Sequence, residues 1–159
     1  MNIVIIGAGY VGLTTGLGFA KLGHRVACVD IDADKIAKLD LGEIPFYEVG
    51  LQELLVESQE SGAIIFTTDL SLVVQEAQVI IFAVGTPAKS TGEANLSFLF
   101  NAAEQVGRFL DHESLMVVQT TVPVETNRRV RTKIREGLHL FRNFYGKELL
   151  CRIFWHRIE

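Results

Sequence analysis

The stretch "IVIIGAGYVG" at residues 3–12 places four apolar residues directly ahead of Gly7, Gly9 and Gly12, spaced Gly-x-Gly-x-x-Gly. A short, wholly apolar run suits a strand covered on both faces, and the glycines after it suit a tight turn into a helix. Gly7 permits the turn, Gly9 lets the backbone approach a bound anion, and Gly12 lets helix and strand pack closely. Such a unit leaves free N–H groups at the helix start and commits the chain to layers of helix on parallel sheet.

The periodicity continues that rhythm. Strands are expected at Asn2–Ile6, Arg25–Val29, Ala63–Thr67, Gln78–Val84 and Ser114–Gln119. Between the first two, Tyr10–Leu22 is expected to be a helix with Val11, Thr14, Thr15, Gly18 and Leu22 against the sheet and Gly23 as its end. Further helices are expected over Ala33–Leu41 with Asp32 as N-cap, over residues 51–61 after the loop "GEIPFYEVG", and from Leu96, where Leu99, Ala103, Val106 and Leu110 recur at helical spacing. The run "ETNRRVRTKIRE" predicts a last helix over 125–136, with Arg128, Arg131 and Arg135 on one exposed face. The expected fold class is α/β, a Rossmann-type doubly wound parallel sheet in a single domain spanning 1–137. Residues 138–159 form an atypical tail, expected to be helical or irregular. Its last 21 residues hold 5 of the chain's 14 aromatics, without the strand that the alternation calls for.

A glycine triplet alone is a weak signal. Here it follows a strand, opens a helix, and is answered by Asp30 at the end of the second strand, 18 residues past Gly12, which makes chance a poor explanation. The glycine turn would hold a dinucleotide's pyrophosphate, and Asp30 would accept hydrogen bonds from the adenosine ribose hydroxyls. A carboxylate there repels a 2′-phosphate, so the expected cofactor is NAD rather than NADP. Lys35 either reaches the same ribose or is a solvated lysine on a surface helix. Thr86 and Thr121 both follow strand ends, where a hydroxyl touches a ligand or builds a turn. His24, His112, His139 and His156 share no motif and are expected to be surface or structural, and Cys28 a buried thiol.

Composition sets the outer bounds. With 159 residues and 48% apolar content, one domain with a sizeable core is expected. No apolar run approaches the ~20 residues that cross a bilayer, and no basic residue precedes Lys21, so neither membrane association nor a secretory signal is expected. Cys28 and Cys151 lie far apart, which fits a reduced, cytoplasmic protein with neither a disulfide framework nor a metal site. Residues 1–125 carry 6 basic against 16 acidic side chains, and residues 126–159 carry 9 against 3. The basic helix is not expected to contact nucleic acid, because the body is acidic and no aromatic platform accompanies it.

Several separate segments then share one resemblance. "GAGYVGL", "GHRVACVDIDADKIAKLDLGEIPFYEVGL", "VIIFAVGTP" and "TTVPV" resemble, in register from Met1 to about Gly137, the amino-terminal part of the UDP-glucose 6-dehydrogenase and GDP-mannose 6-dehydrogenase family. The "VGTP" at 84–87 resembles these two branches more than the N-acetylmannosamine branch, and the whole pattern is most similar to bacterial UDP-glucose dehydrogenases. The resemblance implies an NAD-dependent, two-step oxidation of a sugar's primary alcohol to the acid, UDP-glucose plus two NAD giving UDP-glucuronate, through a cysteine thiohemiacetal and thioester. It implies that Gly7, Ala8, Gly9, Tyr10, Val11 and Gly12 hold the pyrophosphate, that Asp30 and Lys35 hold the ribose, and that Val84, Gly85, Thr86 and Pro87 line the cofactor. Thr121 matches the family threonine near the nicotinamide and the reacting water, the one catalytic assignment the chain permits.

The departures are specific. Val49 stands where the family has Pro in "EPGL", and Glu125 stands where it has Gly in "TVPVGT", bringing a negative charge close to the expected cofactor edge. Beyond Gly137 the family continues to a functional glutamate, a lysine and a nucleophilic cysteine. None of these is matched here, and Cys151 in "LLCRIF" lacks that nucleophile's glycine-rich setting. A truncated or out-of-frame reading after 137 is the expectation, with a UDP-sugar as partner only where the missing domains are present. A GDP-mannose 6-dehydrogenase fragment and a non-catalytic NAD-binding module are the alternatives, and the oligomeric state is left open.

Overall fold

In a computed structural model that describes residues 1–145 and 152–154, with side chains as far as Leu138, six strands build one sheet. These are β1 Asn2–Ile6, β2 Arg25–Val29, β3 Ile64–Thr67, β4 Val79–Phe82, β5 Leu115–Val118 and β6 Arg152–Phe154. Their order is β3-β2-β1-β4-β5-β6, and every neighbouring pair is parallel. The winding reverses at β1, with β2 on one side and β4 on the other. A crevice therefore opens outside the carboxyl ends of β1 and β4, where such sheets bind ligands.

Helices α1 Tyr10–Lys21, α2 Ala33–Asp40 and α3 Leu51–Glu60 bury Leu13, Leu17, Ile36, Leu39 and Leu55 with Ile3, Ile5, Cys28, Phe66 and Ile81 of the sheet. The opposite face joins Val4, Ile6, Ile80, Phe82 and Met116 to Leu99, Ala103 and Val106 of α5 Ser97–Phe109 and Val130 and Ile134 of α6 Thr126–Tyr145. Both faces of β1 are buried, which is why residues 3–6 are apolar without alternation. A four-residue helix, α4 Ser71–Val74, has too few residues for any periodicity to announce it.

Two expectations are corrected. The buried face of α1 is Gly12, Leu13, Gly16, Leu17 and Ala20, whereas Val11 and Leu22 are exposed and a Cβ on Gly18 would meet open space. Glycine is the reason: a Cβ on Gly16 would stand 2.9 Å from the Cys28 Sγ, so the helix rests on the sheet along its glycine line. The second concerns the tail. Helix α6 does not stop near Gly137 but runs on to Tyr145, and Arg152–Phe154 then pairs in parallel with β5, through Leu115↔Arg152, Met116↔Ile153 and Val117↔Phe154. Gly137 is a contact rather than an end. A Cβ there would overlap the Glu104 carbonyl oxygen, and one on Gly107 would overlap the Ile134 carbonyl oxygen, so α5 and α6 cross glycine to glycine. The strand satisfies backbone groups that β5 would otherwise expose as an edge. Cys151 lies outside the described residues, as do the side chains of His139 and His156.

Candidate functional site: the carboxyl edge of β1, β2 and β4

The glycine turn is built as its spacing requires. Gly7 has φ +105°, donates its N–H to the Val29 carbonyl oxygen at 2.7 Å, and comes so near β4 that a Cβ would lie 2.6 Å from the Ala83 carbonyl oxygen. A Cβ on Gly12 would overlap the Gly7 carbonyl oxygen, so this glycine closes the helix onto the turn. Gly9 differs, since a Cβ there would meet nothing within 4 Å. It is the N-cap of α1, with no side chain bonded to the helix start. An uncapped helix N-terminus facing open space is a place for an anion.

Asp30 stands beside it. Its Oδ2 accepts from the Ala8 N–H and from Lys35 Nζ, each at 2.9 Å, and its Oδ1 accepts from the Asp32 N–H at 3.0 Å. Burial pushes its carboxyl upward, but the Lys35 ammonium and the two backbone donors outweigh that and hold it below the ordinary aspartate value. The carboxylate is thus charged and oriented. Two oxygens offer about four acceptor sites, and three are used, which leaves room for a hydroxyl. Asp32 caps α2 by accepting from the Lys35 N–H at 3.0 Å, and this places Lys35 one turn along, pointing back at Asp30.

The loops after β4 and β5 form the other wall. Thr86 Oγ1 donates to the Thr121 carbonyl oxygen at 2.9 Å, and Thr120 Oγ1 donates to the Val84 carbonyl oxygen at 2.8 Å. These crosslinks hold Val84, Gly85, Thr86 and Pro87 against Thr121, and bring both halves of the sequence-predicted set to one edge of the sheet. Glu125 lies past this wall with φ +72°, in the left-handed region that favours glycine. One contact was not expected from sequence: Tyr10 Oη donates to Glu48 Oε2 at 2.8 Å. Both residues sit inside motifs already noted, "GAGYVGL" and "PFYEVGL", but pattern alone does not pair a helix start with a loop residue 38 positions away.

The other candidates lie elsewhere. His112, before β5 and hence at the far end of the sheet, approaches the Ala77 carbonyl oxygen with Nε2 at 2.7 Å and Asp111 with Nδ1 at 3.1 Å. His24 packs on Phe19 at 5.9 Å between ring centroids. Cys28 is fully buried beneath α1, and burial pushes its thiol up to about 12, which makes it inert as a nucleophile. Arg129 of α6 lies 4.6 Å over the Phe100 ring. No helix among the described residues is long and apolar enough to cross a membrane.

Comparison with known proteins agrees with this geometry. The model of the UDP-glucose/GDP-mannose dehydrogenase family, NAD binding domain, matches residues 1–145. The chain belongs to this family. As its NAD-binding domain, the chain takes NAD as cofactor, and the open N-terminus of α1 with the charged Asp30 beside it fits that group. The family's UDP-glucose 6-dehydrogenase YwqF of Bacillus subtilis is 41% identical over 138 residues, which is 87% of this chain and 31% of that protein. In structure, the chain resembles a UDP-glucose dehydrogenase from Pyrobaculum islandicum with TM-score 0.85 and 30% identity, covering 99% of this chain and 36% of that one. It resembles a GDP-mannose dehydrogenase from Pseudomonas aeruginosa with TM-score 0.82 and 28% identity, covering 100% and 37%. The chain thus spans about a third of the length of these family members.

Proposed function

We propose that the chain is the NAD-binding domain of a UDP-glucose 6-dehydrogenase, and that residues 1–159 alone bind NAD without turning over a nucleotide sugar. The observation that carries the cofactor site is the Asp30 carboxylate, held 2.9 Å from the Ala8 N–H at the mouth of the uncapped α1. In this reading Gly7, Ala8, Gly9, Tyr10, Val11 and Gly12 receive the pyrophosphate on backbone N–H groups, and Asp30 with Lys35 takes the adenosine ribose. Val84, Gly85, Thr86, Pro87 and Thr121 line the nicotinamide half. Thr121 positions water near the reacting carbon. NAD, when bound, accepts hydride, and the protein orients it and excludes a 2′-phosphate through the charge on Asp30.

The "VGTP" segment supports the UDP-glucose and GDP-mannose branches together, and the choice of UDP-glucose rests on the overall sequence pattern and the 41% identity to the Bacillus subtilis UDP-glucose enzyme. A GDP-mannose enzyme is the second reading, favoured by a structural likeness almost as close. The groups the family uses to trap and release the aldehyde are not matched in residues 1–159, which supports binding without turnover. Isothermal titration calorimetry with NAD tests the reading, with Asp30→Ala as control. Heat in the parent, lost or much weakened in the variant, is expected, and NADP should bind at least tenfold more weakly than NAD. No heat in the parent overturns it. Release of NADH from UDP-glucose by the chain alone would overturn the second half.

A further inference from the structure

Residues 43–49 form a strap between two glycines in the left-handed region, Gly42 and Gly50, each at φ +77°. The Gln52 side-chain amide closes its base by donating to the Gly42 carbonyl oxygen. Its middle rests on the core through the half-buried Ile44 and Phe46. Its tip is tied to a distant residue: Tyr10 Oη donates to Glu48 Oε2 at 2.8 Å, and the Tyr10 and Phe46 rings lie 5.1 Å apart at 56°. The strap walls an open hollow of about 540 Å³, and its Tyr47 and Val49 are 89% and 80% exposed. Tyr10 is the first residue of α1 and follows the N-cap Gly9, so the strap is fastened to the turn proposed to receive the pyrophosphate.

We propose that Tyr10 and Glu48 form a latch that holds this strap against the start of α1, so that strap closure and NAD binding favour one another. This rests on the NAD-site reading above. The strap has flexible glycine ends, a firm base and a tip fixed by one hydroxyl–carboxylate bond and one ring contact, which makes the tip the part that opens first. A ligand that binds better beside the closed strap shifts it toward closure, and the same coupling makes closure strengthen binding. Tyr10 is thus a positioning residue for the strap.

Limited chymotrypsin digestion tests this, scored by the mass of fragments cut after Phe46 or Tyr47. A protease engages an extended segment, so cutting requires the strap to detach, and its rate follows the open population when reclosing is fast. Tyr10→Phe and Glu48→Ala are each expected to be cut about three- to tenfold faster than the parent, the range a single net hydrogen bond allows. Glu48→Gln, whose amide oxygen still accepts, should stay within about twofold of the parent. Saturating NAD should slow cutting of the parent, should slow that of Tyr10→Phe by a clearly smaller factor, and should have no effect in Asp30→Ala. Parent-like cutting of Tyr10→Phe or Glu48→Ala overturns the latch, as does cutting that NAD leaves unchanged in a parent that calorimetry shows to be saturated. If calorimetry shows no binding, the NAD-site reading fails on its own, and the digests without NAD still decide whether the latch exists.

Discussion

Replacing Glu125 by glycine is expected to raise stability, because Glu125 holds φ at +72°. In the left-handed region a Cβ crowds the following carbonyl oxygen, at a cost of about 1–2 kcal/mol. Glycine removes that cost but loses about 0.5–1 kcal/mol more backbone entropy on folding. The Arg128 guanidinium lies 3.9 Å away, but both side chains are mostly exposed, so that pair adds close to nothing. The carboxylate precedes α6 and also interacts with the helix dipole, so Glu125→Gln is the proper reference, as it keeps the Cβ and removes the charge. The net difference, centred on about 0.75 kcal/mol within a span of ~0–1.5 in favour of glycine, corresponds to a gap of roughly 2–3 °C in Tm for a chain of this size. Thermal unfolding followed by circular dichroism reads it directly. A Glu125→Gly midpoint at or below that of Glu125→Gln would refute the strain at this position, and an equal gain in both variants would assign the effect to charge.

Two glycines of one motif should separate on substitution: Gly9→Ala meets nothing within 4 Å and should fold while binding NAD at least tenfold more weakly, whereas Gly12→Ala meets the Gly7 backbone and should lose about 3 kcal/mol or fail to fold. Urea unfolding with calorimetry distinguishes them, and a parent-like midpoint for Gly12→Ala would contradict the close approach. The Asp30 carboxyl is held below its unfolded value, so its contribution to stability is complete above about pH 4 and is lost as pH falls through the folded value. Asp30→Asn should therefore be less stable than the parent at pH 7, with the gap narrowing toward pH 2 in urea titrations. A constant gap across that range would show that the carboxylate's charge is not what matters.

The elements that were legible in the sequence are those whose residues speak for themselves. Residues 3–6 are apolar because both faces of β1 are covered, and Asp32 caps α2 because a short carboxylate reaches the Lys35 N–H. What escaped depends on contacts between distant segments. The contact face of α1 runs through Gly12 and Gly16, where the absence of side chains is itself the packing device and a hydrophobic count sees nothing. Gly137 has the signature of a helix end, and only the opposing Gly107 turns it into a crossing point. The binding edge shows the same division. Gly7, Gly9, Gly12 and Asp30 follow from local spacing, while the threonine crosslinks between the β4 and β5 loops and the Tyr10–Glu48 bond need the folded chain to bring them together.

The central place of β1 has a consequence during synthesis. As the chain leaves the ribosome, β1 acquires β2 along one edge once Val29 is out, but its other edge waits for β4, which ends at Phe82. At a synthesis rate of ~5–20 residues per second, that edge stays unpaired for some seconds. During that interval a bare "NIVII" edge is a template for wrong pairing. The glycine turn that prepares a site for a cofactor thus follows the segment of the nascent chain in greatest need of shelter.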